Sequence, residues 1–357
     1  MHAPRWFIRP NNTDWRYTRF LLPRIKDYSD DIEFINAQSF VTAAKFNLRY
    51  ALGALRYRLR LPRRATVGVG LNRQEFRKSK CDAVFCHDDF PSDADGISVV
   101  WQNSILDPQM MSANGASSEQ LEKFTAEKRH GFEAATLVQV SSEAEKIRLS
   151  RTFSNCADKF VTVPFFLPDA RRISSGDLEV KLKRVGPLRC LFVGNDARRK
   201  GLARVYEAFK ALGSDVRLTV VSTLADGNII PPAHKNVVFF KGLPHADVIT
   251  LMRESDVLLM PSSFESYGLV FLEAMSQGTI PVVPDWEVQR EIVGYGSAGV
   301  ITNGTPQALV ECIQRLCDDH VWRLRLSTEA CNRFEKHYAP KAVAGAFREA
   351  MKRLPRS

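Results

Sequence analysis

Short apolar runs recur along this chain, each ending in a polar or glycine-containing loop. Each is followed by a stretch whose apolar residues fall three or four apart. In the second half the alternation is regular. LRCLFV (188–193), VRLTVVS (216–222), NVVFFKG (236–242), VLLMPS (257–262), IPVVPD (280–285) and GVIT (299–302) read as buried strands. Between them, Leu202, Val205, Phe209 and Leu212 share one helical face, and further helices are expected over His245 to Glu254, from near Gly268, over Pro306 to Asp318 and over Val321 to Tyr338. Continuous apolar runs suit a parallel sheet covered on both faces. Repeated βα units therefore predict a doubly wound sheet.

The first half carries the pattern less regularly. Strand candidates are RWFIR (5–9), DIEFINAQ (31–38), the AVFC run before His87, GISVVWQN (96–103), TLVQVSS (136–142) and KFVTVPFFLPD (159–169). Helices are expected from near Thr18, from Ser117 to Phe132, and after Ser142, where an N-cap explains the serine without function. The Pro-, Gly- and charge-rich segment from Pro168 to Pro187 reads as an interdomain linker. APKAVAGAFREAMKRL (339–354) reads as a basic amphipathic helix packing across both domains. The expected organisation is an N-terminal domain over 1–168, a linker over 169–186, a second domain over 187–338 and the closing helix over 339–357, which suits a chain of 357 residues.

Charge narrows the partners only in part. A formal net charge of +10 suits phosphate-bearing ligands, an anionic membrane surface or nucleic acid alike. The arginines are scattered with little aromatic interleaving, which argues against nucleic acid. In KFNLRYALGALRYRLRLPRR, Leu48, Leu52, Leu55 and Leu59 fall at helical spacing beside Arg49, Arg56, Arg60 and Arg63. Either this is a helix packed on a sheet with a solvated basic face, or residues 45–64 touch an anionic membrane with Tyr50 and Tyr57 at the interface. The seven cysteines contain no CxxC and several lie in apolar runs, as expected of reduced core residues. No apolar run approaches the roughly 18 residues of a bilayer span, and MHAPRWFIRPNN lacks a signal core. The expected location is cytoplasmic, either free or peripheral on the inner face of the plasma membrane.

The candidate chemistry gathers after two strands. Glu265 and Glu273 bracket SYGLVFL, with a helix start near Gly268 at the carboxyl end of a strand. Ligands sit there in open α/β sheets, and helix-start N–H groups favour an anion. Either one carboxylate reads sugar hydroxyls and the other ribose hydroxyls, with the N–H groups of Tyr267 to Leu269 toward a diphosphate, or the pair is a capping acid and a solvated glutamate. The turn at Gly194 presents Arg198, Arg199 and Lys200, either a solvated patch or a phosphate site. Its spacing is not a P-loop. Gly242 ends its strand as a simple turn or as main chain laid against a planar base. His87 follows strand AVFC and is a site candidate or the partner of a local backbone group. The DxD at Asp93 and Asp95 lies past a proline among turn residues and favours solvated carboxylates over a metal site. No structural metal is expected.

PSSFESYGLVFLEAMSQGTIPVV, together with FVGNDARRKG, resembles the signature of the retaining GT-B glycosyltransferases of glycosyltransferase family 4, the glycosyl transferases group 1. That signature is an apolar strand, P-S-x-x-E, a Gly three residues on, then E-A-M/L-x-x-G-x-P-V-V. The resemblance is strong over residues 187 to about 318 and covers the first half by layout. It implies an α/β GT-B fold, two Rossmann-like doubly wound domains facing across a cleft. It implies retaining transfer of a sugar from a nucleotide-diphosphate donor to a glycan or lipid-linked glycan acceptor, in cell-surface polysaccharide or lipopolysaccharide biosynthesis. By position, Glu265 would bind donor-sugar hydroxyls near the reacting centre and Glu273 the ribose. Ser266, Tyr267, Gly268 and Leu269 would hold sugar and phosphate through main chain, beside the turn at Gly194. Arg199 and Lys200 would neutralise the diphosphate leaving group, with Arg198 as the substitute for Arg199. Members generally need no metal for chemistry.

Two departures mark the acceptor side. The family's glycine-rich loop after the first strand is here NNTDWRY, with Asn11, Asn12 and Thr13, and the histidine expected after ISVVW is replaced by Gln102 and Asn103. Asn12, His87, Gln102 and Asn103 are the acceptor-side candidates. A catalytically silent nucleotide- or glycan-binding partner in a biosynthetic complex is the competing reading. A dinucleotide oxidoreductase lacks its GxGxxG fingerprint here.

Overall fold

The computed structural model describes residues 5–9, 27–28, 33–36, 83–87, 98–102, 112, 115–223 and 236–354. Two six-stranded parallel sheets organise them. The first contains β1 (Arg5–Arg9), β2 (Glu33–Asn36), β3 (Ala83–His87), β4 (Val99–Gln102), β5 (Leu137–Val140) and β6 (Phe160–Thr162), in the order β2-β1-β3-β4-β5-β6. The second contains β7 (Leu188–Val193), β8 (Val216–Val221), β9 (Val237–Phe240), β10 (Val257–Leu259), β11 (Ile280–Pro284) and β12 (Val300–Thr302), in the order β12-β11-β10-β7-β8-β9. Every residue of β5, β10 and β11 is buried, as parallel strands covered on both faces must be. In the second sheet the strand order reverses between β7 and β10. The crevice beyond their carboxyl ends is thus the topological switch point where open α/β sheets take ligands.

Ten helices among the described residues cover the sheets: α1 (Ser118–Ala134), α2 (Glu143–Thr152), α3 (Ser175–Leu182), α4 (Leu202–Lys210), α5 (His245–Glu254), α6 (Leu269–Ser276), α7 (Glu287–Ile292), α8 (Pro306–Asp318), α9 (His320–Arg333) and α10 (Pro340–Met351). Ser117 and Gln120 close a full capping box on α1, and the Ser142 hydroxyl accepts from the Glu145 N–H at the start of α2.

Three stretches differ from expectation. The segment expected as a linker folds into α3, capped by Ser174, with Leu178 packed beside Cys331 of α9. Its Lys181 is 7% exposed and donates to Gln277 O at 2.9 Å, Thr279 Oγ1 at 2.9 Å and Met252 O at 3.3 Å. The helix expected to run through Tyr338 stops at Arg333, and a wider π turn over Phe334–Tyr338 follows, burying both of its end residues. Strand β10 ends at Leu259 because Pro261 has no N–H to continue a ladder. The helix expected near Thr18, the NNTDWRY loop, the basic stretch 45–64 and the carboxylates Asp93 and Asp95 lie outside the described residues.

The two sheets share one continuous apolar cluster, which runs from Phe85 and Val100 through Phe165 and Tyr267 to Leu258 and Val283. Polar contacts reinforce it. The Glu291 carboxylate of α7 accepts from the Glu143 and Ala144 N–H groups at the start of α2, at 3.0 and 2.6 Å. That satisfies donors which have no partner inside their own helix. Helix α10 lays Phe347 against Phe85, centroids 6.1 Å apart, and Arg353 beyond it donates to Phe160 O and Asp158 O. Among the described residues no helix is long and apolar enough to cross a membrane.

Candidate functional site

The loop after β7 and the loop after β10 meet at the switch point. Gly194 N donates to Val221 O at 3.0 Å, carrying the ladder one residue past β7 before the chain turns. A Cβ at Gly194 would lie 2.9 Å from Lys200 Cγ, so the glycine lets the lysine stem fold back across the turn. Asp196 fixes the other side. Its carboxylate accepts from Arg199 N at 3.1 Å and Arg199 Nε at 2.9 Å. Main chain then joins the loops: Ser263 N donates to Arg199 O at 2.8 Å, and the Arg204 guanidinium donates to Pro261 O.

This junction places Glu265 on the cations. The Lys200 ammonium contacts Glu265 Oε2 directly, Arg199 Nη1 lies 3.7 Å from the same oxygen, and Ser262 Oγ donates to it at 3.5 Å. The side chains are 7% exposed for Glu265, 13% for Lys200 and 33% for Arg199, so the pair is largely withdrawn from water. Burial pulls the Lys200 pKa below the ordinary lysine value, and the Glu265 charge opposes that pull. Arg199 Nη1 also donates to Phe264 O at 2.8 Å. From α7, Gln289 Nε2 donates to Tyr267 O at 2.9 Å and Glu265 O at 3.2 Å and pins the loop from behind.

Helix α6 begins at once. Gly268 caps it at φ +92°, a left-handed conformation that an L side chain adopts only with strain. The first-turn N–H groups of such a helix have no intrahelical partner and carry the positive end of its dipole. Tyr267 is 2% exposed and packs edge-on against Phe165, centroids 5.0 Å apart. Its ring belongs to the core, and its carbonyl is the one that Gln289 holds. Ser266 and Leu269, on either side, are half-buried. Glu273 lies in the second turn of α6, with Oε1 2.8 Å from His245 Nε2 at the start of α5.

The structure thus brings Glu265, Arg199 and Lys200 together, with Gly194, Ser266, Gly268, Leu269 and Glu273 around them. Arg198 is exposed and makes no ion pair among the described residues. His87 and Gln102 end neighbouring strands in direct register. Asn12 and Asn103 lie outside the described residues. Sequence reasoning missed Asp196, Gln289 and His245. Asp196 was detectable three residues before an arginine in a turn, whereas the other two partners are set by tertiary contacts.

A charged pair at a helix start, flanked by a second carboxylate, can hold an anion and read hydroxyl groups beside it. Residues 177–336 match the family model described as Glycosyl transferases group 1. The D-inositol 3-phosphate glycosyltransferase of Corynebacterium urealyticum is 31% identical over 109 residues, 30% of this chain and 24% of that protein. The chain spans less than half the length of the curated relatives it matches. Among solved structures, Anabaena HepE in complex with UDP matches with a TM-score of 0.67 at 15% identity, over 98% of this chain and 100% of that one. WaaG, a glycosyltransferase involved in lipopolysaccharide biosynthesis, matches with a TM-score of 0.61 at 17% identity, over 97% of this chain and 98% of that one. These likenesses show the GT-B fold expected from the sequence, two facing parallel-sheet α/β domains.

Proposed function

We propose that this protein is a retaining glycosyltransferase of family 4 that moves a sugar from a nucleoside-diphosphate donor to a glycan or lipid-linked glycan acceptor in cell-surface polysaccharide or lipopolysaccharide biosynthesis. The observation that carries the reading is the convergence of Lys200 and Arg199 on Glu265 at the switch point, beside the start of α6. The match over 177–336 and the likeness to HepE with UDP and to WaaG support it.

In this reading the donor diphosphate lies across Lys200, Arg199 and the first turn of α6, and its sugar reaches Glu265. As the bond from the anomeric carbon to the phosphate oxygen breaks, negative charge grows on that oxygen. Lys200 and Arg199 stabilise it, and fixed charges in a site closed to water do this without reorganising. The acceptor oxygen forms its bond to the anomeric carbon on the face the phosphate leaves, and the departing phosphate takes the acceptor proton. Glu265 holds donor hydroxyls and is not the nucleophile. Glu273 takes the ribose. The positive charge in this scheme comes from side chains, so the chemistry needs no metal ion.

The acceptor side draws on Asn12, His87, Gln102 and Asn103, and a membrane-borne acceptor on the basic face of residues 45–64. Co-sedimentation with anionic vesicles that falls with salt, and weakens on replacing Arg56, Arg60 and Arg63, tests the latter. Turnover across a panel of nucleotide sugars tests the activity. Lys200→Ala is expected to lower it by about 10²–10³-fold, with a large loss also in Glu265→Ala. Unchanged turnover in both variants would refute the assignment. Nucleotide binding without turnover across the panel would identify a silent binding partner instead.

A further inference from the structure

Glu273 is held in an unusual way for a carboxylate on a helix face. Its neighbours Leu272, Ala274 and Met275 are fully buried, and its own side chain is 18% exposed. Oε1 sits 2.8 Å from His245 Nε2. An ionised carboxylate only accepts, so Nε2 carries the proton in this contact. Among the described residues Oε2 has no hydrogen-bond partner. One oxygen is therefore fixed and the other is open, on the helix whose first turn adjoins the Lys200–Glu265 pair.

His245 comes from the turn that follows β9. Gly242 bends that turn at φ +74°, and Pro244 caps α5 just before the histidine. The His245 side chain is 68% exposed. A single hydrogen bond to a ring this exposed contributes little net stability. It does fix which way the carboxylate points. A ribose presents two neighbouring hydroxyl donors, and a carboxylate with one oxygen anchored and one open offers them acceptors at a set angle.

We infer that His245 is a positioning residue that orients Glu273 toward the donor ribose and thereby sets discrimination between ribo- and 2′-deoxyribonucleotides. The inference rests on the proposed donor site and extends it to a residue that makes no charge contact with the diphosphate. Losing the anchor frees the carboxylate to rotate, so the loss falls on ribose recognition and leaves the reacting end of the donor unchanged.

Titration calorimetry with UDP, GDP and ADP, each beside its 2′-deoxy counterpart, tests this on wild type, His245→Ala, His245→Gln and Glu273→Ala. His245→Ala is expected to weaken the ribonucleotide that binds best by about three- to tenfold and its deoxy form far less, shrinking the ratio of the two. His245→Gln, which keeps an N–H donor, restores part of the ratio. In turnover, His245→Ala raises the donor KM by a similar factor with kcat within about twofold. An unchanged ratio in His245→Ala, with a reduced ratio in Glu273→Ala, overturns the inference and leaves the donor site standing. An unchanged ratio in both variants, or no nucleotide binding by the wild type, overturns the inference together with the assignment of Glu273 to the ribose.

Discussion

Glu265→Gln separates two roles that the structure assigns to one carboxylate. In the free protein Glu265 is the counter-charge of Lys200 and Arg199. A donor diphosphate competes for the same cations. A phosphate oxygen at an ordinary hydrogen-bond distance on the far side of the Lys200 ammonium lies roughly 5 Å from the Glu265 carboxylate. Two like charges at that distance repel by about 3 kcal/mol at an effective dielectric of 20, and by under about 1 kcal/mol in bulk water. The pair is largely buried, but Arg199 beside it is 33% exposed, so an intermediate value of about 1.5 kcal/mol is the working figure.

Glutamine keeps the shape and removes the charge. Glu265→Gln is therefore expected to bind the bare nucleoside diphosphate about tenfold more tightly than wild type. It is expected to turn over the nucleotide sugar at least about tenfold more slowly, because a charged hydrogen bond to the sugar is worth about 1.5–3 kcal/mol. Lys200→Met moves diphosphate affinity the other way. Titration calorimetry with UDP, GDP and ADP, beside turnover of the matching nucleotide sugars, reads both quantities. Equal or weaker diphosphate binding in Glu265→Gln would refute the competition, since Glu265 is the carboxylate in direct contact with the Lys200 ammonium.

Three further outcomes follow from other parts of the molecule. Gly268→Ala places a Cβ 2.4 Å from the fully buried ring of Phe271 at φ +92°, so conformational strain and overpacking together cost about 2–5 kcal/mol. A melting temperature within a degree of wild type would contradict that. Burial lowers the Lys181 pKa from 10.5 to about 7, so the unfolded chain binds more protons between those values and stability rises with pH across that window. The difference in unfolding free energy between wild type and Lys181→Met should grow in favour of wild type by about 3 kcal/mol from pH 7 to 9.5, and a flat difference would show that the lysine keeps its ordinary pKa. Glu291→Ala removes the acceptor shared by the first two N–H groups of α2 and should cost about 1 kcal/mol. Faster amide hydrogen exchange at Glu143 and Ala144 checks it, and unaltered exchange would mean that α2 does not depend on α7.

The elements legible in the sequence were those whose burial is written in their own period. The six strands of the second half and helix α8 needed no long-range information, because continuous apolar runs and a helical stripe suffice. Helix α3 was not legible for the opposite reason. It has eight residues, and one of its two buried side chains is Lys181, whose acceptors lie 71 to 98 residues away. No local pattern marks a lysine as internal. Tyr267 shows a related limit within the site: a main-chain role was expected there, but the edge-on packing of its ring against Phe165, 102 residues earlier, is set by tertiary contacts. His245 and Gln289 were hidden because they act on residues 22 to 28 positions away, His245 on Glu273 and Gln289 on the carbonyls of Glu265 and Tyr267, through hydrogen bonds that no local pattern marks.

The order of strands explains why the site reads as two separate halves. Strands β8 and β9 intervene in the chain between β7 and β10, yet in the sheet they lie on the far side of β7. The loops after β7 and β10 therefore become neighbours although Lys200 and Glu265 are 65 residues apart. What joins the loops matters for what they can do. Ser263 to Arg199 O, Arg204 to Pro261 O and Gln289 to the carbonyls of Glu265 and Tyr267 all end on main-chain oxygens. None depends on the Lys200–Glu265 charge contact. An anion can accordingly replace Glu265 at the lysine while the loops and the start of α6 stay where they are. The donors that would stabilise a leaving phosphate are then already in position when it arrives, and no free energy is lost to reorganising them as charge develops.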